Sequence, residues 1–422
     1  MSFPNVVRAY SLASGAFLTG FDTLLDVFFC PYEGTFQDVE VTMLDMPEDL
    51  PVVIKQNGNR RESRTRTTWE IIREILAWLP VKSLCRFRCV QKSWNYLTYD
   101  PRFIKFHYDK ATEHDNVLCQ RRRVFVCNMW MLCSVNLDEG LKHINLDDHS
   151  GYRFLVDSTY LRDFMGLAIH CNGLLFGWSC YHEFMLFNPV INQTKILPMP
   201  PTYDSLTLEL CGFGFDVSAM DYKVVHGHFC DDGLRFSLYS LISGSWRVIE
   251  TMYPYIHRTP AVEGRIVNGG VHWMVGNVKD GSSSMVIISF GLADEDVSEI
   301  LMPPDFNVYE DEEEYYLSVF EGCICVGKRD ALAFWVMREY GVVNSWTKIR
   351  MNIPFYEGLH SGFVKKNHHL LLFQVGSQLQ LVMYNFDKKR SRNLSVHGVR
   401  EVCSAGIYLE SLVSPNKYSI TQ

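Results

Sequence analysis

The sequence predicts an α+β protein in two parts, a small helical module near the N-terminus and a larger β-domain of propeller type behind it. Between residues 69 and 108 the apolar residues recur at helical spacing. From about residue 115 onward they fall instead in short runs that are separated by turn residues. These runs also repeat at a nearly constant interval, which is typical of a ring of similar sheets.

The helical stretch, residues 69–108, reads WEIIREILAWLPVKSLCRFRCVQKSWNYLTYDPRFIKFHY. Ile72 and Leu79 lie on one apolar stripe of a first helix, and Pro80 ends that helix because the residue before a proline is pushed out of the α region. Further short helices follow, and Asp100 is placed to cap the last of them. The first helix is apolar around much of its circumference, and such a helix either is deeply buried or docks on a partner. We therefore expect an interaction surface here.

From Glu74 to Trp94 this stretch closely resembles the F-box of plant F-box proteins. The β-domain is similar to the F-box-associated interaction domain, and S-locus F-box and F-box-like proteins are nearest in style. The resemblance implies a substrate-recognition subunit of a Skp–cullin–F-box ubiquitin ligase, with neither a catalytic group nor a cofactor of its own. A Skp-type adaptor would join it to the cullin and the RING protein. If the chain is S-locus-like, its protein target would be a ribonuclease. The resemblance also implies which residues bind the adaptor, and they are Ile75, Leu79, Pro80, Val81, Leu84, Val90 and Trp94.

Residues 1–66 depart from the family pattern. The family's F-box opens with Leu-Pro-Glu-Asp-Leu, and in that register this chain has Thr67 and Thr68, whereas a near match, Met46–Leu50, lies 21 residues upstream. The polar, basic run between them predicts a linker. Either an insertion splits the F-box or the N-terminal sequence comes from a wrongly assigned reading frame, and we favour the second explanation. The expected organisation is an irregular extension at 1–66, the F-box at 67–108, the β-domain at 115–415 and a tail at 416–422.

Six segments of the β-domain share an apolar strand, a polar hairpin and a second apolar strand. We mark the residue at which the first strand of each segment ends. The intervals between successive marked residues are 52, 52, 51, 47 and 47. The marked residues are Val135, Phe187, Tyr239, Phe290, Met337 and Tyr384. A period near 50 is the length of one four-stranded kelch blade, and blades must stack because one blade cannot bury both of its faces. We expect about six blades, with the last strand, Gly406–Val413, completing the first blade.

Composition limits the classes of partner and compartment. A net charge of −8 argues against a nucleic-acid binder, which would need a basic face. No run of eighteen residues is free of Asp, Glu, Lys, Arg and His together, so we expect no membrane span. Thirteen cysteines without any CxxC pair predict reduced thiols in a cytoplasmic or nuclear protein.

Candidate chemistry in the β-domain is sparse. His226, His228 and Cys230 alternate on one face of a probable strand, but a metal site needs a further converging ligand, and ordinary strand histidines are the simpler interpretation. No GxSxG, HExxH or Walker loop occurs, so we expect no catalysis. Two other hypotheses stay open, a non-ligase interaction propeller with a degenerate F-box and a propeller enzyme with groups converging at its central mouth.

A long loop between the fourth and fifth repeats carries a continuous acidic run. It is either a solvated loop or a patch that steers a basic target, since complementary charge speeds association. The candidate substrate-binding residues are Glu310, Asp311, Glu312, Glu313, Glu314 and Tyr315. Loops 203–208 and 228–234 are further candidates, because recognition often falls on loops that a rigid scaffold presents.

Overall fold

A computed structural model gives the arrangement of most of the chain. It describes residues 68–114, 121–127, 132–136, 152–154, 158–161, 169–178, 183–203, 209–257, 263–279, 282–304, 315–328, 331–353, 357–358, 368–375, 378–396 and 404–416. Trp69–Gln422 form one compact unit.

Four helices come first. They are α1 (Thr68–Ala77), α2 (Val81–Phe87), α3 (Lys92–Leu97) and α4 (Pro101–Glu113). Pro80 has an extended backbone and separates α1 from α2. The Asp100 side chain accepts a 2.8 Å hydrogen bond from the Arg102 backbone N–H, which caps α4 as predicted. Leu76, Leu84 and Phe103 are buried between the helices.

Six sheets follow, and each is built around four antiparallel strand positions. Sheet 1 contains β1 (Arg122–Cys127), β2 (Leu132–Asn136), β4 (Ser158–Leu161) and β26 (Ser404–Leu409). Sheet 2 contains β5 (Ile169–Cys171), β6 (Leu174–Trp178), β7 (Phe184–Asn188) and β8 (Gln193–Ile196). Sheet 3 contains β9 (Leu210–Asp216), β10 (Asp221–Cys230), β11 (Gly233–Ser240) and β12 (Ser245–Tyr253).

The other three sheets have the same plan. Sheet 4 contains β13 (Tyr255–Ile256), β14 (Arg265–Val267), β15 (Gly270–Lys279), β16 (Ser282–Gly291) and β17 (Val297–Ile300). Sheet 5 contains β18 (Tyr315–Phe320), β19 (Cys323–Lys328), β20 (Ala333–Met337) and β21 (Trp346–Arg350), with a 3₁₀ turn at Val343–Ser345 before β21. Sheet 6 contains β22 (Glu357–Gly358), β23 (His368–Val375), β24 (Gln378–Asn385), β25 (Arg390–Val396) and β3 (Tyr152–Phe154).

The predicted repeat corresponds to these sheets. All six marked residues lie on the third strand of their sheet, namely β2, β7, β11, β16, β20 and β24. The sequence repeat therefore predicted the number of blades correctly. The described residues form a propeller of six sheets, and the four helices precede these sheets in the chain.

The two ends of the β-domain close the ring together. As predicted, β26 pairs antiparallel with β1, with Val124 opposite Ile407, and it takes the place of the first strand of sheet 1. The sequence analysis did not foresee a second link. Strand β3, which lies between β2 and β4 in the chain, leaves sheet 1 and pairs parallel with β25 of sheet 6. Both links remove free sheet edges at the junction between the first and last sheets.

The core lies between neighbouring sheets. Phe236 of sheet 3 packs in one cluster with Trp273 and Phe290 of sheet 4. The first strands contact one another in succession, β26 with β5, β5 with β9, β9 with β14, β14 with β18 and β18 with β22. This succession places the first strands next to one another around the ring.

Strand direction gives the ring two different ends. Tight turns join the first strand to the second and the third to the fourth. Asn172–Gly173, Asn268–Gly269 and Glu321–Gly322 are such turns, and all six residues have positive φ, as a type I′ hairpin turn requires. We call this end of the ring the short-turn end. The connections between sheets, including 301–314, start and finish at the opposite end, which we call the long-loop end.

The helices lie at the short-turn end, because β26 ends there and β1 begins there. Ala111 of α4 packs against Leu409 at the end of β26, and Trp78 and Tyr108 join the same cluster. Part of the apolar surface of the helices is therefore covered by the chain's own ring.

Candidate functional site

The predicted adaptor-binding residues fall into two groups. Leu79, Val81 and Leu84 are buried in the core of the helices. Ile75, Pro80 and Trp94 are half-buried, and Val90 is 54% exposed. The buried members shape the helical surface from beneath, whereas Val90 is presented to solvent.

Two further apolar side chains on the helices are exposed. Trp69 at the start of α1 is 42% exposed, and Tyr96 on α3 is 72% exposed. Sequence reasoning did not select either residue. The exposure of Tyr96 follows from its place on the six-residue α3. Its neighbour Leu97 is buried, and consecutive helix residues point in different directions.

Trp78 differs from what the sequence suggested. It directly follows α1, and the apolar circumference of this first helix predicted an interaction surface for a partner. Instead it packs in the cluster with Leu409 of the ring, and the Lys110 ammonium lies 5.4 Å from its ring centroid. A ring surface at the end of β26 could not be anticipated from the periodicity of one helix.

The turn between α2 and α3 is held by local contacts. The Arg88 guanidinium lies 4.5 Å from the Tyr99 ring centroid, and its Nε donates to the Thr98 hydroxyl at 3.0 Å. The Phe87 and Trp94 rings meet edge to face at 5.4 Å. These contacts hold the backbone that presents Val90.

Three buried donors of this turn have no hydrogen-bond partner among the described residues. They are Arg88 Nη2, Ser93 Oγ and Trp94 Nε1. A buried donor left unpaired costs about 1–3 kcal/mol.

The histidines of β10 form a pair around one carboxylate. Glu209, just before β9, lies 2.6 Å from His226 Nε2 through one oxygen and 2.9 Å from His228 Nδ1 through the other. Both imidazoles donate N–H to the carboxylate, so one nitrogen of each histidine is engaged by Glu209. No group of three or more His, Cys, Asp or Glu side chains is placed to hold a metal in the part of the chain that the structure describes.

The other candidates at the long-loop end are only partly described. The acidic run 310–314 lies outside the described residues, and of loop 203–208 the structure describes Tyr203 alone. Tyr315 begins β18, is half-buried and has the Lys328 ammonium 5.8 Å from its ring centroid. In loop 228–234, Asp231 and Asp232 are exposed.

The segments 212–216 and 221–225 of sheet 3 contact sheet 4. A side chain at Gly212 would meet Val271 at 2.4 Å, so close packing of the sheets requires glycine there. Lys223 Nζ lies 2.8 Å from the Asp216 carboxylate and 3.0 Å from Glu295 of the β16–β17 turn. Burial opposes ionisation of Asp216, but hydrogen bonds from Lys223, Ser218 and Ala219 outweigh it and lower the pKa of Asp216 to about 2.

None of the described helices is long and apolar enough to cross a membrane. The described cysteines are free thiols, and they are Cys85, Cys89, Cys133, Cys171, Cys211, Cys230, Cys323 and Cys325.

Known plant proteins are similar to this chain in sequence. An F-box/kelch-repeat protein of Arabidopsis thaliana, At3g23880, is 28% identical over 82% of this chain and 95% of its own length. The F-box protein CPR1 of the same plant is 23% identical over 82% of this chain and 88% of its own length. A third Arabidopsis thaliana protein, named as the putative F-box/kelch-repeat protein At1g62270, is 29% identical over 50% of this chain and 54% of its own length, so this chain spans about half of that protein.

Among solved structures, TolB from Acinetobacter baumannii matches 68% of this chain and 66% of its own chain, with a TM-score of 0.42 and 10% identity. A similarity at this level supports no conclusion about function.

Two families match the sequence. The F-box domain matches residues 43–106, and the F-box associated beta propeller domain matches residues 131–415. The first match begins upstream of the expected boundary at 67 and includes Met46–Leu50, the near match to the family's opening motif. The second match covers most of the described sheets. The chain therefore belongs to the F-box proteins that carry an F-box associated beta propeller domain.

Proposed function

We propose that the chain is the substrate-recognition subunit of a Skp–cullin–F-box ubiquitin ligase. Its helices would bind a Skp-type adaptor, which joins the cullin and the RING protein, and its ring would bind the protein to be ubiquitylated. The observation that carries the proposal is the placement of the two surfaces. The helices contact the ring at the short-turn end, while the fourth strands of the sheets end at the opposite end of the ring.

The proposed adaptor surface is centred on the turn between α2 and α3. Val90, in that turn, and Tyr96, on α3, are exposed. Burying one large apolar side chain contributes about 1.5–3 kcal/mol to association. Of the residues carried over from the family pattern, we propose that Val90, Trp94, Pro80 and Ile75 touch the adaptor, while Leu79, Val81 and Leu84 support them from the core.

The proposed target surface is the long-loop end of the ring. The run from Glu310 to Glu314 belongs to a connection of this end, and Asp231 and Asp232 are exposed on the β10–β11 turn of the same end. Acidic loops favour a basic target, because opposite charges steer association. The chain needs no catalytic group for this role, since the recruited ligase components carry out ubiquitin transfer.

Isothermal titration calorimetry of the full chain with a recombinant Skp-type adaptor tests the proposal by measuring the affinity between the two proteins. Val90→Asp together with Tyr96→Ala is expected to weaken binding by about tenfold or more, since both changes remove exposed apolar contact area. Val217→Asp is the matched control, because Val217 is 73% exposed on the β9–β10 turn of the ring. Failure of the unmodified chain to bind, or undiminished binding by the double variant, would favour a non-ligase interaction propeller.

A further inference from the structure

One buried arginine connects the helices to the ring. Arg121 lies just before β1 and is 1% exposed. Its guanidinium donates to the Ala77 carbonyl at 3.5 Å and to the His107 carbonyl at 3.0 and 3.1 Å. It also donates to His107 Nδ1. His107 Nε2 in turn donates to the Leu79 carbonyl at 2.8 Å. Arg121 therefore engages the end of α1 and the middle of α4 directly, and the turn after α1 through His107.

The chemistry of this contact favours a single geometry. A guanidinium is planar and carries donors in a fixed fork, so three acceptors on two helices fix its orientation. Positive charge at the end of α1 is also favourable, because the last carbonyls of a helix carry partial negative charge. Burial lowers the pKa of Arg121 to about 10, so the group is still charged at neutral pH.

On the ring side, the same segment is tied to the end of β26. The Arg121 carbonyl accepts a 3.0 Å hydrogen bond from the Glu410 N–H. The Glu410 carboxylate lies 2.8 and 2.7 Å from Arg123 Nε and Nη2. The Glu410 side chain is 3% exposed, so this ion pair is shielded from solvent on one side.

The chain beyond Glu410 continues as a buried strap, residues 410–415, across sheet 2. Asn188 Nδ2 donates to the carbonyls of Ser411 at 3.0 Å and Val413 at 2.8 Å. Leu412 and Val413 are buried. Arg121 is therefore held by strands that are themselves anchored to the neighbouring sheet.

We propose that Arg121 is a positioning residue that fixes the orientation of the helices on the ring. An adaptor bound to the helices and a target bound at the long-loop end would then be held at a set separation. That consequence rests on the proposed function, whereas the fixed orientation is a property of the chain alone.

Distance measurements on the full chain test the proposal. Ketone-bearing residues that replace Glu113 of α4 and Ser298 of β17, both exposed, carry nitroxide labels for double electron–electron resonance. The unmodified chain is expected to give one narrow distance peak. Arg121→Met is expected to widen that peak about twofold, because the helices then sample several orientations. The adaptor affinity of Arg121→Met is expected to stay within about twofold, since the adaptor surface is unchanged.

Arg338→Met is the matched control. It removes a guanidinium that bonds Glu321 within sheet 5 at 2.7 Å and has no contact with the helices among its described bonds. An Arg121→Met peak as narrow as that of the unmodified chain overturns the proposal, and so does equal widening by Arg338→Met.

If Arg121→Met does not fold, Arg121→Lys replaces it. A single ammonium cannot hold the Ala77 carbonyl, the His107 carbonyl and His107 Nδ1 in one fork, so a smaller widening is expected. An unchanged peak overturns the proposal in this variant too. If the unmodified chain does not bind the adaptor, the proposed function is refuted. The distance measurements would still test the fixed orientation of the helices, because they need no adaptor.

Discussion

Lys223 of β10 shows how one side chain joins two sheets. Its ammonium bonds the Asp216 carboxylate of its own sheet, and it also bonds the Leu292 carbonyl at 2.7 Å and the Glu295 carboxylate of the next sheet. A paired buried charge is costly to break, because its partner is left desolvated without compensation. The contact therefore explains why lysine and aspartate stand at these two positions.

Replacing Lys223 with methionine should lower the free energy of unfolding by about 3 kcal/mol, because the buried Asp216 carboxylate loses its cation. Urea denaturation at neutral pH measures the change. Lys105→Met is the control, since Lys105 pairs with Asp109 on the exposed surface of α4, and such pairs contribute at most about 0.5 kcal/mol. Equal effects of the two substitutions would contradict this account of Lys223.

Two buried histidines predict a loss of stability in mild acid. Burial lowers the pKa of His272 to about 4, and its nitrogens lie 3.0 Å from the Arg265 carbonyl and 2.8 Å from the Tyr340 hydroxyl. Burial, reinforced by the charge of Arg121, lowers the pKa of His107 well below its usual value. Both groups stay neutral in the fold, whereas the unfolded chain binds their protons below a pH of about 6.5. Stability should therefore be full above that pH and fall as the pH drops from about 6.5 towards 4.

Urea denaturation at pH 7.5 and pH 5.0 measures this loss, to which His272 alone should contribute about 2 kcal/mol. Asp216, whose folded pKa is about 2, is fully ionised in the fold across this range. The variant His272→Gln should have a smaller difference between the two pH values. A difference as large as that of the unmodified chain would show that His272 is not responsible.

At the scale of elements, neighbouring sheets are joined by a recurring tryptophan contact. Trp246 is the second residue of β12 and donates through Nε1 to the Pro198 carbonyl after sheet 2, at 2.6 Å. Trp346 begins β21 and donates in the same way to the Leu301 carbonyl after sheet 4, at 3.1 Å. Both acceptors precede a Met-Pro-Pro sequence. The contact thus fastens the fourth strand of one sheet to the chain that leaves the sheet before it.

Trp346→Phe should lower the free energy of unfolding by about 1 kcal/mol, the usual contribution of one hydrogen bond. Trp335→Phe in the same sheet is the control, because the described contacts of Trp335 are packing against the hydrophobic cluster of sheets 4 and 5 and a 5.1 Å approach of the Lys348 ammonium to its ring, and neither is a hydrogen bond. Guanidinium denaturation monitored by circular dichroism compares the two variants. A smaller loss for Trp346→Phe than for Trp335→Phe would contradict the proposed role.

The elements also show how far sequence reasoning reaches. The third strands were predictable because their apolar runs recur at one period, and β26 was predictable because a ring needs its last strand to complete its first sheet. The parallel pairing of β3 with β25 was not, because it joins residues far apart in the chain without any repeat signal. Glu209 between His226 and His228 was missed for a related reason, since a carboxylate before one strand carries no sign that it faces two histidines of the next.

For the whole molecule, the central feature is the opposition of two surfaces on one closed ring. The sequence indicated an apolar helical module and a ring behind it, but it did not show that Trp78, Arg121 and Leu409 would join them. Those contacts leave Val90 and Tyr96 exposed on the helices and the connections between sheets at the far end. This arrangement fits a receptor that holds one protein at each end.

Reconstitution with a purified Skp-type adaptor, a cullin and a RING protein tests the receptor role most directly. Size-exclusion chromatography with light scattering measures the mass of the complex that contains the full chain. We expect a stable complex with one copy of each component, formed through the helices and lost in the Val90→Asp, Tyr96→Ala double variant. Elution of the unmodified chain as a free 48.8 kDa monomer in the presence of all three components would contradict the account.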